Sequence, residues 1–96
     1  MPYIKETQRQ YIDHEIDTLV TTFRDYVGCR DTGAANYMII RVILGSMKPD
    51  TGWSYDTLSD VIKTLDCTKT EVKRRLLNKY EDRCIEKNGD LEELNI

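Results

Sequence analysis

Ninety-six residues provide one modest hydrophobic core and not two. With 32% charged and 40% hydrophobic residues, the composition is polar for a globular chain and too apolar for a disordered one. The net charge of −3 argues against non-specific duplex binding, which draws its affinity from many Lys and Arg contacts to phosphates.

Residues 1–5 read as an extended arm, because Pro2 lacks an amide hydrogen and Tyr3 and Ile4 are apolar enough to pack on a neighbour. From about Thr7 to Val27 the apolar positions Ile12, Ile16, Leu19, Val20, Phe23 and Val27 recur at helical spacing, which predicts an amphipathic helix stopped by Gly28. Asp31 or Thr32 can cap a second helix over roughly Gly33 to Met47. This is the one long apolar run of the chain. A lone strand there would have nothing to pair with, and its all-round apolar character suggests the central helix of a bundle.

Pro49-Asp50-Thr51-Gly52 has turn chemistry, and Ser54 follows as the cap of a third helix. Its apolar positions Leu58, Val61, Ile62, Leu65, Val72, Leu76, Tyr80 and Cys84 keep a helical period past residue 80. Thr68-Lys69-Thr70-Glu71 has the form of a capping box, so a long helix bent near Asp66-Thr68 and two helices in series both satisfy the pattern. Asn88-Gly89 is a stop, and residues 90–96 read as a loosely ordered tail. The expected fold is all-α: a single domain over residues 1–96, a compact bundle of three to four helices. A chain this small and polar is marginal by itself, so a homo-oligomer is expected to add buried surface.

Polar groups intrude on the apolar run. Tyr37 and Arg41 are four residues apart, hence on one helix face, with Asn36 alongside. An arginine in such a helix must reach solvent, pair with an acid such as Asp60 or Glu71, or hold an anion. As a ligand site, Arg41 would hold a phosphate through its planar fork, Tyr37 would stack on a base or ribose, and Asn36 would read an edge. A second cationic group lies on the third helix. Lys69 to Lys87 carries seven positive and four negative residues, a local +3 that leaves −6 elsewhere. Arg75, Lys79 and Arg83 follow at i+4 steps with Arg74 beside them, and Glu71 is correctly spaced to pair with Arg75. Arg74, Arg75 and Lys79 are therefore ligand candidates, and Tyr3 joins them if the arm lies near a pocket between chains. The bland reading is a solvated helix laced with ion pairs.

Enzyme signatures are thin. His14 stands among Asp13, Glu15 and Asp17, a weak basis for a metal site or a catalytic base, and no phosphate loop or nucleophile elbow is present. No catalytic residue, metal ligand or cofactor is assigned. Cys29, Cys67 and Cys84 build neither a disulfide framework nor a zinc site. With no apolar signal region and no run of membrane-spanning length, a cytoplasmic protein with reduced thiols and no membrane partner is expected.

Met1-Pro2-Tyr3-Ile4, the Asn36-Tyr37 pair, Arg74-Arg75, Tyr80-Glu81-Asp82 and Asn88-Gly89-Asp90 together resemble a family of small uncharacterised helical bacteriophage proteins. The chain departs from that pattern at Gly33-Ala34-Ala35, where an acid and a leucine are expected, and at Lys79, where a proline is. The resemblance implies a protein made in the host bacterial cytosol and acting on host metabolism or defence. By analogy of setting, the expected function is sequestration of a small anionic nucleotide signal of a defence system, without catalysis. Two alternatives are a metal-dependent nucleotide hydrolase of all-helical type, for which the acids are too scattered, and an inhibitor that binds a host protein.

Overall fold

The computed structural model describes residues 4–94. These are all-α, as the periodicity predicts. By its internal contacts the chain divides into two units, Met1–Asp50 and Thr51–Ile96.

In the first unit, Lys5 is extended and precedes a single-turn helix α1 (Glu6–Arg9), whose Gln8 side chain accepts from the Lys5 amide at 3.1 Å. A longer helix α2 (Asp13–Tyr26) follows. The expected unbroken helix from Thr7 is thus divided at Gln10–Ile12. The amides of Tyr11 and Ile12 donate to the carbonyls three residues back, at 3.2 and 3.0 Å, and the four-residue pattern resumes when Ile16 donates to Ile12. The physical reason is local: Glu6 to Gln10 contain no apolar residue to extend the stripe that begins at Ile12. At the other end Val27 and Gly28 both donate to the Phe23 carbonyl, and Gly28 turns the chain at φ +108°, which an L side chain rarely adopts.

Helix α3 (Thr32–Met47) starts where Asp31 accepts a hydrogen bond from the Ala34 amide at 2.9 Å. It does not sit as the central helix of a core. None of its residues is buried, and Ile39, Ile40, Val42 and Leu44 keep 40–46% of their surface exposed. An all-round apolar helix therefore offers more apolar surface than this chain covers.

The second unit is dominated by one helix. Ser54 and Thr57 cap it reciprocally: the Ser54 hydroxyl accepts from the Thr57 amide and the Thr57 hydroxyl from the Ser54 amide. The helix runs as α4 (Tyr55–Val72), passes through a π-helical turn (Lys73–Leu77), and continues as α5 (Asn78–Asn88) to Gly89 at φ +88°. It is about 50 Å long at 1.5 Å per residue. No fresh helix starts at Thr68, because its hydroxyl donates to the Thr64 carbonyl at 3.0 Å, as Thr64 does to Asp60 at 2.8 Å. Such back-bonding keeps both threonines inside a continuing helix. Val61 on this helix is the buried apolar residue of the described chain. The tail carries a short 3₁₀ turn, Glu92–Leu94, rather than irregular chain alone.

Candidate functional site

In the first unit, α2 and α3 leave an open groove of about 290 Å³ between them, at the lower end of the range for small-molecule sites. One wall is Leu19, Thr22, Phe23, Tyr26 and Val27, and the other is Ala34, Tyr37, Met38, Arg41 and Val42. Leu19, Phe23 and Val27 of the α2 stripe thus look across the groove at the Tyr37 and Arg41 face of α3.

Tyr37 and Arg41 form a unit of their own. Arg41 Nη1 donates to the Tyr37 hydroxyl at 2.8 Å, and its guanidinium carbon stands 5.7 Å from the centroid of the Tyr37 ring. The arginine lies across the ring it is bonded to, at cation–π distance. One donor is engaged, and a guanidinium has four more N–H groups in a rigid plane, the geometry that suits a phosphate or carboxylate. Among the groove's lining residues Arg41 is the one charged group, so any ionic selectivity there favours an anion. The remaining wall is aromatic and aliphatic, which suits a planar ring.

Of the residues expected at a ligand site, the structure brings Tyr37 and Arg41 together. Asn36 is exposed on α3 and is not part of the groove lining. Arg74, Arg75 and Lys79 lie on the long helix of the second unit. Arg74 has an intrahelical partner: its Nε donates to Glu71 Oε1 at 3.1 Å, and Nη2 contacts the same oxygen. Glu71 thus reaches Arg74 at i+3. Tyr3 falls outside the described residues. The sequence did not single out Phe23, Tyr26 or Met38 as groove residues; Phe23 reads as core, and Tyr26 is 86% exposed with no pattern to mark it.

His14 lines a shallow depression with Asp17, Thr18 and Thr21. Among the described residues no three His, Cys, Asp or Glu side chains converge as a metal site, and no helix is long and apolar enough to cross a membrane. Cys29 and Cys67 are exposed free thiols and Cys84 is half-buried.

A family model described as "Domain of unknown function (DUF6899)" matches residues 1–91. No curated protein and no solved structure matches.

Proposed function

The chain belongs to the family described as Domain of unknown function (DUF6899), a description that assigns no activity, and we propose from the chemistry of the α2–α3 groove that the protein binds and sequesters a small anionic nucleotide. The observation that carries this reading is the pairing of Arg41 with Tyr37 on the rim of a groove walled by Phe23 and Tyr26. A base stacks on the aromatic wall while a phosphate takes the outward donors of Arg41, already aimed by the Tyr37 hydroxyl. Stacking is tolerant of base identity, and the guanidinium supplies the requirement for an anion.

In this proposal the protein acts in the host bacterial cytosol as a homo-oligomeric sponge that withholds a defence signal from its effector, the setting implied by the resemblance to phage proteins. Catalysis has no part in it: the groove lining offers no carboxylate or histidine to activate water. Incubation with candidate nucleotides, followed by heat release and chromatography, tests the proposal. Recovery of intact ligand in proportion to protein is expected. New products in the presence of magnesium or manganese support the hydrolase instead, and co-purification of a host protein with no nucleotide affinity supports the inhibitor.

A further inference from the structure

The long helix of the second unit carries an apolar seam that follows a heptad. Leu58, Ile62, Leu65, Lys69, Val72 and Leu76 alternate steps of four and three, the spacing of paired helices. The next two members, Tyr80 and Cys84, come one residue later than the heptad requires. The π-helical turn Lys73–Leu77 lies at that point, and its wider turn takes up one extra residue. On a straight α-helix Tyr80 and Cys84 would drift roughly a quarter turn off the line at about 100° per residue; the π turn returns them to it. Along this seam Leu58, Ile62, Leu65, Val72, Leu76 and Tyr80 remain 37–67% exposed.

We propose that this seam is the self-association surface of the protein, pairing with the same helix of a second copy in antiparallel orientation about a two-fold axis near Lys69–Val72. The orientation follows from the residues. With the axis there, Leu58 meets Cys84 of the other copy, Ile62 meets Tyr80, Leu65 meets Leu76, and Lys69 meets Val72. Every layer then joins the two different seam positions of the heptad, as antiparallel pairing requires. Tyr55, Leu58 and Ile62 line a shallow hollow that receives the Tyr80 ring. Parallel pairing would set Lys69 against Lys69 at the centre of the seam, two like charges in an apolar layer. Antiparallel pairing lets the Lys69 stem lie on Val72 while its ammonium reaches solvent. The flanks agree: Asp66 and Lys73 are seven residues apart on one edge and straddle the axis, so each faces the opposite charge on the other copy. A two-fold makes both pairs at once.

The surface concerns the homo-oligomeric part of the proposed function alone, so its test is independent of nucleotide binding. Sedimentation equilibrium of the full chain is expected to show a dimer, and Leu65→Glu a monomer with unchanged helical circular dichroism. Asp66→Lys and Lys73→Asp are each expected to weaken the dimer by roughly tenfold, since two flank pairs turn repulsive. The double variant Asp66→Lys/Lys73→Asp is expected to return to the wild-type dissociation constant, which reports orientation and which loss of folding cannot mimic. A monomeric wild type, a dimer untouched by Leu65→Glu, or a double variant weaker than either single one would overturn the proposal.

Discussion

The two units solve the same difficulty, excess apolar surface on a short chain, in opposite ways. In the first, the apolar stripe of α2 and the Tyr37 and Arg41 face of α3 line an open groove. In the second, a single helix keeps at its surface a heptad seam that includes Lys69, shifts by one residue at the π turn, and is flanked by Asp66 and Lys73. The difference lies in where the polar residue falls. Arg41, itself exposed, lines the groove between two helices of one unit, whereas Asp66 and Lys73 flank the seam of the long helix.

This contrast can be broken by exchanging the consequences of single substitutions. The largest expected effect is that of Leu65→Glu, which dissociates the dimer and leaves nucleotide affinity unchanged, as sedimentation and titration calorimetry on the same preparation will show. Arg41→Ala does the reverse: nucleotide affinity falls roughly ten- to hundredfold, the loss of a charged hydrogen bond of about 1.5–3 kcal/mol, and the dimer persists. Tyr37→Phe keeps the stacking ring and removes the hydroxyl that aims Arg41, so calorimetry should register a smaller loss, about 0.5–1.5 kcal/mol. The smallest effect is expected for Asp31→Ala, which removes the cap of α3 and lowers unfolding stability by about 1 kcal/mol in urea titration, with nucleotide affinity reduced only as far as the groove wall frays.

Features governed by neighbouring residues were legible in the sequence. A cap at Asp31 or Thr32, the cap at Ser54, Gly28 and Gly89 as stops, and the i+4 relation of Tyr37 to Arg41 each depend on a few adjacent positions. Where two local patterns compete, the sequence is ambiguous. Thr68 fits both a capping box and a back-bonded helical threonine, and the uninterrupted apolar period through Leu65 and Val72 decides for the helix. The break at Gln10–Ile12 is not legible, because the polar segment before it is compatible with a helix but has nothing to hold it in one. The groove was only half legible. Phe23 and Val27 fall on an apolar stripe whether the surface opposite is closed or open, and that depends on how α2 and α3 meet. The extra residue at the π turn is visible in the seam once Leu76, Tyr80 and Cys84 are counted against the heptad.

If Tyr37 and Arg41 hold a nucleotide in the α2–α3 groove, titration with adenosine monophosphate will change amide and aromatic chemical shifts there. The expected result is saturable shifts at Phe23, Tyr26, Tyr37 and Arg41, absent with adenosine, which lacks the phosphate. Saturable shifts confined to Arg75, Lys79 and their neighbours on the long helix, or no shift at millimolar ligand with any mononucleotide, would contradict it.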